Sequence, residues 1–305
     1  MVKNRASGKP KEWKGRTDGL PWMIRSLVVV MKVVDRRAIY FMMAFVVPFY
    51  MLFNHKGYKS IYRFFRDRFG YGPLRSFCKV YANHFRFGQV IIDRYAAYAG
   101  KRFRFDIDGN DEFLRLMDDE KGVVQISSHV GNYEMVGYSL TSEKKRINGI
   151  FFGGETDVMM EFRRKILARH NVDLIEVDES MTHIFRMNAA LDRGEIVSMT
   201  GDRVFGSAKT LTCRFMGADA RFPMGPFALA VQKEVPVIAV FSMRGKWGVY
   251  EVLVRRLYSN PDLPVRAQMA DLAQKFASML EDTVRRYPTQ WFNFYDFWKS
   301  ADERA

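Results

Sequence analysis

The stretch GVVQISSHVGNYE, Gly122–Glu134, joins a short apolar run to a histidine and, five residues later, a glutamate. A continuous apolar run of this length is typical of a strand that is covered on both faces of a sheet. We therefore predict a buried strand that ends just before His129. Gly131 permits a tight turn after it, and the residues that follow can begin a helix.

The segments around this stretch alternate between strand and helix patterns. Strands are predicted in FRFDIDG (103–109), INGIFFG (147–153), DLIEVD (173–178), IVSMTGD (196–202), VPVIAVFSMRG (235–245) and GVYEVLVRRL (248–257), with TCRFMG (212–217) as a further candidate. Such alternation predicts an α/β fold with a central mixed, largely parallel sheet flanked by helices. In these sheets the chemistry lies beyond the carboxyl ends of the strands, which is where His129 falls.

His129 and Glu134 are candidates for acid–base chemistry. A histidine with a near-neutral pKa can take a proton from a hydroxyl, and a carboxylate on its other ring nitrogen fixes the tautomer. No Gly-x-Ser-x-Gly motif occurs, so the pair predicts activation of a bound hydroxyl or amine rather than an acyl-enzyme. The alternative is a histidine that caps a helix start, with Glu134 on a solvated face.

The N-terminal part of the chain contains a long apolar segment, AIYFMMAFVVPFYMLF (38–53), of sixteen uncharged residues. A helix of that length spans about 24 Å, less than the ~30 Å hydrocarbon core of a bilayer. Basic residues flank it on both sides, whereas a spanning helix concentrates them on the cytoplasmic side. It could be a short transmembrane anchor or an element in the membrane plane, and the third alternative is a core helix of a soluble protein.

Composition narrows the possible partners. The net charge of +14 predicts attraction to an acidic partner, either nucleic acid, an anionic membrane surface or an acidic protein. No zinc-finger spacing or aromatic RNA-binding motif supports nucleic acid. Cys78 and Cys213 have no paired spacing and no histidine cluster beside them, so we expect neither a disulfide framework nor a metal site. We also expect no cleaved secretory signal.

Five segments together resemble a known family, one of them being FMGADARFPMGPFALAVQKEVPVIAVF (215–241). SSHVGNYE (127–134) resembles the His-x4-Asp/Glu signature of the glycerolipid acyltransferase superfamily, and its Gly-Asn-aromatic interior is similar to that of the late acyltransferases of lipid A biosynthesis, the lauroyl/myristoyl transferase family. GGETDVMMEFRRK (153–165), GEIVSMTGDRVFGS (194–207) and YPTQWFNFYDFW (287–298) agree with that family in order and spacing. The resemblance covers roughly Trp13 to Trp298.

The resemblance implies transfer of a fatty acyl group from acyl carrier protein (ACP), occasionally acyl-CoA, to a hydroxyl or amine of a membrane lipid. No other cofactor is implied. Carried over by position, His129 is the general base in a ternary complex and Glu134 is its partner. The substrate-binding residues implied are Asn132, Arg163 or Arg164 for an acceptor anion, and Asp202 with Arg203 to complete the site.

These observations divide the chain into three parts. We expect a basic flexible arm at 1–20, a membrane-associated helical anchor at 21–56 and an acyltransferase domain at 57–305. The last comprises a helical lead-in (57–102), the α/β core (103–257) and a C-terminal helix with an aromatic tail (258–305). The expected location is the bacterial inner membrane, with the catalytic domain on the cytoplasmic side beside ACP and anionic lipid.

The sequence leaves the acceptor open. It could be a lipid A precursor, a lysophospholipid or glycerol phosphate, an aminoacyl lipid, or a hydroxyl on a polyene or other secondary lipid. Two other classes of protein share parts of the pattern: a non-enzymatic basic membrane-binding protein, and a lipid hydrolase.

Overall fold

The structure, a computed structural model, describes residues 21–53, 55–140, 143–152, 157–177, 180–204 and 209–299. The predicted basic arm at 1–20 lies outside the described residues, as do 153–156 and 205–208 within two of the family-like segments. Everything said below of the fold and the site concerns the described part of the chain.

A seven-stranded sheet forms the centre of the molecule, in the order β1-β9-β8-β2-β5-β3-β4. Neighbouring strands run parallel except β8 and β9, which are antiparallel. The predicted mixed, largely parallel sheet is therefore confirmed. The strands are β1 (Arg104–Asp108), β2 (Val123–Ser127), β3 (Ile147–Phe152), β4 (Val172–Val177), β5 (Ile196–Thr200), β6 (Thr210–Phe215), β7 (Ala218–Pro223), β8 (Val237–Arg244) and β9 (Val249–Leu257).

Ten α-helices accompany the strands in the described residues. They are α1 (Pro21–Val33), α2 (Arg36–Phe53), α3 (His55–Phe69), α4 (Pro73–Tyr98), α5 (Asn110–Asp118), α6 (Val136–Ser139), α7 (Asp157–Leu167), α8 (Thr182–Asp192), α9 (Gly225–Lys233) and α10 (Val265–Arg286). The chain then returns over the sheet as a C-terminal tail, Tyr287–Trp298.

The central strands are buried because both faces of the sheet are covered. Every residue of β2 is buried, and side chains alternate between the faces along a strand. Val124 and Ile126 pack into a core that includes Phe276 of α10, whereas Val123 packs into a second core with Phe113 of α5. The continuous apolar run from which the fold was predicted is thus a strand with protein on both sides.

A β-hairpin beside the main sheet differs from the prediction. β6 begins at Thr210, earlier than the predicted strand, and pairs antiparallel with β7, which the sequence analysis missed. Met216 and Gly217 form the two-residue turn, and both have positive φ values, of 51° and 80°. That geometry is the one two-residue hairpins prefer, but the usual Asn-Gly or Asp-Gly signal is replaced here by Met-Gly.

Helix α2 packs along α4, the long helix that leads into the sheet. Tyr40, Val47 and Met51 form its buried side. Only 17% of the Arg36–Phe53 segment is buried, and the segment is long and apolar enough to cross a membrane by length and composition. Such low burial argues against the alternative of a core helix.

Candidate active site

The candidate site lies at the carboxyl edge of the sheet, where two neighbouring strands end together. β2 and β5 are parallel, and Ser127 is in register with Thr200. His129 follows β2 by two residues, and Asp202 follows β5 by two residues. The matched register therefore brings an imidazole and a carboxylate, from segments far apart in sequence, to the same point.

A glycine allows the loop after β2 to pass closely over β8. Gly131 has a φ of 64°, and a Cβ atom there would lie 2.1 Å from the backbone oxygen of Ser242. The next amide, that of Asn132, donates to the same oxygen at 2.7 Å. Any side chain at position 131 would push the loop away from β8 and move His129 with it.

Asp202 binds both the ring and the backbone of His129. Nδ1 of His129 is 2.7 Å from Oδ1 of Asp202, and the backbone amide of His129 donates to Oδ2 at 2.9 Å. The indole Nε1 of Trp291 donates to the same Oδ2 at 3.2 Å. These bonds fix the ring orientation and favour the tautomer that carries its proton on Nδ1, which leaves Nε2 as the proton acceptor.

The surroundings keep His129 neutral. Burial and the positive charge of Arg203 lower the pKa of His129 below its ordinary value, against the opposing effect of Asp202. Burial by itself would raise the pKa of Asp202, but attraction to His129 when the ring is protonated, the hydrogen bonds of His129 and the charge on Arg203 outweigh burial and hold that pKa below the usual value. The pair is therefore a neutral imidazole beside a carboxylate. This is the state in which a histidine can accept a proton.

The C-terminal tail closes the site from one side. Its Phe292 amide donates to the backbone oxygen of His129 at 3.0 Å, and Trp291 forms a short antiparallel bridge with Val130. Arg203 donates to the backbone oxygen of Phe292 at 3.0 Å. The sequence analysis used this aromatic ending only as a family signature and missed Trp291 as a contact of Asp202.

The sequence analysis predicted that Glu134 is the partner of His129. In the structure, Glu134 does not contact the His129 ring. Glu134 lies in a 3₁₀ turn, Tyr133–Met135, which directs its carboxylate toward α4 and α7. There it accepts hydrogen bonds from Arg163 at 2.9 Å and Tyr98 at 2.7 Å and forms an ion pair with Arg94 at 2.8 Å. Asp202 occupies Nδ1 of His129 instead, because β5 is the next strand in the sheet.

The buried cluster around Glu134 contains one carboxylate and two guanidinium groups. Burial by itself would raise the pKa of Glu134, but Arg163, Arg94 and the hydroxyl of Tyr98 lower it below the ordinary value. Arg94 was missed in the sequence. The signal was the charged pair Asp93–Arg94 inside the apolar helix segment VIIDRYAAYA (90–99), since charges in such a segment are buried only when paired.

Of the remaining predicted substrate-binding residues, some are buried and one is exposed. Arg163 is buried on Glu134, whereas Arg164 is exposed, so of the two arginines only Arg163 points inward. Asn132 is buried in the loop, and its Nδ2 donates to the Tyr250 hydroxyl at 3.4 Å. Its Oδ1 has no hydrogen-bond partner among the described residues.

The described residues contain no group of three or more His, Cys, Asp or Glu side chains that could hold a metal ion. Cys78 is exposed and Cys213 is buried, and both are free thiols. The geometry of the site allows proton transfer by His129, oriented by Asp202 and Trp291.

Comparison with known families gives a match over most of the chain. The model of a family described as bacterial lipid A biosynthesis acyltransferase matches residues 91–300, which include β2, β5, α7 and the C-terminal tail. A comparison with curated proteins gives no match. The chain belongs to the bacterial lipid A biosynthesis acyltransferase family and is an acyltransferase that acts on a membrane lipid.

Proposed function

We propose that this protein transfers a fatty acyl chain from acyl-ACP to a hydroxyl or amine of a membrane lipid, with His129 as the general base. Acyl-CoA is the alternative donor. The observation that carries the proposal is the contact of 2.7 Å between His129 Nδ1 and Asp202 at the carboxyl edge of the sheet. It leaves Nε2 of a neutral imidazole to act on the acceptor, and the His129 side chain keeps 14% of its surface exposed.

The proposed reaction proceeds in a ternary complex. Nε2 of His129 takes the proton of the acceptor hydroxyl or amine as that atom attacks the thioester carbonyl. Asp202 stabilises the imidazolium that forms. When the tetrahedral intermediate collapses, the C–S bond breaks and His129 returns the proton to the leaving thiolate, so that free ACP thiol and acylated lipid are released. We assign Arg203, whose charge lowers the pKa of His129, to stabilisation of the developing oxyanion.

Glu134 acts indirectly in this proposal. Its carboxylate binds Arg94 of α4 and Arg163 of α7, so that both helices are fixed to the turn that follows His129. The cluster has an excess of one positive charge in a buried setting. We propose that this charge attracts the anionic group of a substrate toward the site, with Arg163 rather than the exposed Arg164 as the contributing residue.

We also propose that α2 binds the membrane in its plane. Its outer side is a continuous apolar surface, the lipid-facing stripe, in which every residue is 60–83% exposed: Phe41, Met42, Phe45, Val46, Phe49 and Phe53. The inner side contacts polar parts of α4 along its length, from the ring of His84 beside Tyr50 to Asp93 beside Tyr40. If α2 crossed the bilayer, these polar residues would enter the hydrocarbon core with it, at a high cost.

Basic residues beside the stripe support the same orientation. Four exposed basic residues lie in the first turn of α2 or close to its ends: Lys32, Arg37, Lys56 and Lys59. Such residues bind lipid phosphates when a helix lies at the level of the headgroups. In the bacterial inner membrane this would hold the site on the cytoplasmic face, where ACP is available.

The experiment that tests the activity compares the lipids of cells that lack the gene after complementation with wild type or with His129→Ala. Mass spectrometry of total lipids should show one acylated species with the wild type only, and that species identifies the acceptor and the chain length. Loss of a general base costs on the order of 10²–10⁴-fold in rate.

The matched control is His170→Ala, because His170 precedes β4 and so lies toward the opposite edge of the sheet. The control should restore the acylated lipid, and both variants should melt close to the wild-type temperature after purification. Transfer near the wild-type rate by purified His129→Ala would refute the general-base role. Release of free fatty acid without an acceptor would instead indicate a hydrolase.

A further inference from the structure

A second buried carboxylate, Asp93 of α4, lies outside the catalytic pair. It is fully buried and accepts hydrogen bonds from the Tyr250 hydroxyl at 2.6 Å, from Nε of Arg244 at 3.2 Å and from the Tyr40 hydroxyl. Arg36 lies 3.9 Å away. These partners belong to α2, β8 and β9, so one carboxylate joins three elements that are distant in sequence.

One line of hydrogen bonds runs from Asp93 to the loop after His129. The Tyr250 hydroxyl that donates to Asp93 accepts from Nδ2 of Asn132 at 3.4 Å. Asn132 lies three residues after the proposed base, and its own amide is fixed to Ser242 of β8. Loss of the Asp93–Tyr250 contact would therefore loosen the side chain of Asn132 in the loop after His129.

A second line reaches the same loop through the C-terminal tail. The side chain of Arg244 donates to Asp93, and the backbone amide and carbonyl of the same residue exchange two hydrogen bonds of 2.9 Å with the side chain of Gln290. The backbone oxygen of Gln290 accepts from the amide of Gly131 at 2.7 Å. Both lines thus end at adjacent residues of the loop that holds His129.

The other end of the network is the helix that carries the lipid-facing stripe. Tyr40 and Arg36 both come from α2, and the guanidinium of Arg244 lies 5.1 Å from the centre of the Tyr40 ring. A shift of α2 against α4 would therefore change the contacts of Asp93 and, through Tyr250 and Arg244, those of residues 131 and 132.

We propose that Asp93 is a positioning residue that couples the seating of α2 to the geometry of the His129 loop. The inference rests on the proposed role of His129. When α2 is seated on α4, Asp93 holds Tyr250 and Arg244, and these hold the loop in the conformation that presents His129. Loosening α2 lowers the rate of transfer without changing the affinity for the acyl donor.

The test is a pair of variants that each remove one hydroxyl between α2 and α4. Tyr40→Phe removes the bond from α2 to Asp93, whereas Tyr81→Phe removes a bond of 3.0 Å from α4 to the backbone oxygen of Ala44 in α2. Tyr40→Phe should lower kcat about tenfold with KM for the acyl donor unchanged, the size expected for a hydrogen bond to a charged group. Tyr81→Phe should stay within about twofold of wild type, since the net effect of a neutral hydrogen bond is small.

A double-mutant cycle adds a readout that a purely structural role would not change. Tyr250→Phe interrupts the first line at its centre, so its loss of kcat should overlap with that of Tyr40→Phe instead of multiplying with it. Equal kcat losses for Tyr40→Phe and Tyr81→Phe, or strictly multiplicative losses in the cycle, would overturn the coupling. If His129→Ala is inactive but the tyrosine variants do not show the expected kcat values, the proposed activity stands and only the coupling is wrong.

Discussion

At the scale of single residues, two buried carboxylates near His129 have different partners: Asp202 contacts the imidazole ring, and Glu134 binds two arginines. The sequence offered Glu134 as the nearest acidic residue to His129, but nearness along the chain is a poor guide where strands end side by side. Asp202 lies 73 positions away and still contacts the ring at 2.7 Å, because β2 and β5 are adjacent and in register. We therefore expect different defects when Asp202 and Glu134 are replaced.

Replacing the ring partner should damage the chemistry rather than the fold. Asp202→Asn removes the charge that stabilises the imidazolium and disturbs the tautomer, so we expect transfer to fall on the order of 10³- to 10⁴-fold. The pH dependence gives a second check. The lowered pKa of His129 places the acidic limb of kcat/KM below the ordinary histidine value of 6.5, because the base works only when neutral. Asp202 opposes that lowering, so in Asp202→Asn the limb should move to still lower pH.

If the acidic limb of the kcat/KM profile of Asp202→Asn lies at the same pH as in the wild type, with unchanged kcat, His129 is not the titrating base. The measurement is kcat/KM of purified enzyme from pH 5 to pH 8 with saturating lipid acceptor. Trp291→Phe is the companion variant, because it removes the third hydrogen bond to Asp202 and keeps the charge.

Replacing the other carboxylate should damage the fold first. Glu134→Gln leaves Arg94 and Arg163 buried beside a neutral amide, and the loss of one partner from a buried ion pair costs about 3–5 kcal/mol. Thermal unfolding should show a large drop in melting temperature, whereas Asp219→Asn, at an exposed surface pair with Arg214, should leave it nearly unchanged. A Glu134→Gln protein with wild-type stability would show that the cluster is not structural.

At the scale of elements, the sequence predicts most of the sheet, since apolar runs and helix periodicity are local properties. β2, β5 and their carboxyl ends follow from the runs themselves, and so does the placement of His129. The order of strands does not, because it is set by pairing between distant segments. Glu134 was therefore assigned the wrong contact, and the hairpin strand β7, with its Met216–Gly217 turn, was missed.

Helix α4 shows why charged residues within apolar helices were underestimated. The pattern predicted a helix, and the helix is present, but its function in the structure comes from Asp93 and Arg94 on successive positions. Successive residues of a helix point about 100° apart, so Asp93 reaches α2 and β9 while Arg94 reaches Glu134. A local pattern cannot identify these partners, because they lie on four other elements.

At the scale of the whole molecule, the proposed orientation on the membrane is the point most open to test. The double variant Phe45→Asp/Phe49→Asp places two charges at the centre of the lipid-facing stripe, where both rings are more than 60% exposed and fill no protein core. We expect the folded variant to sediment poorly with vesicles of anionic lipid and to lose transfer to lipid in proportion. Burying an aspartate at the interface is unfavourable, and the apolar area that holds the helix is lost.

The control is Phe185→Asp, which changes a phenylalanine that is 76% exposed on α8, outside the stripe. It should sediment like wild type. Equal binding by the stripe variant would contradict the in-plane arrangement and favour attachment through the basic flanks alone, in which case raising the salt concentration should release both proteins equally. A tight, salt-resistant attachment of the wild type that only detergent reverses is expected instead, because both apolar contact and charge hold the protein to the lipid.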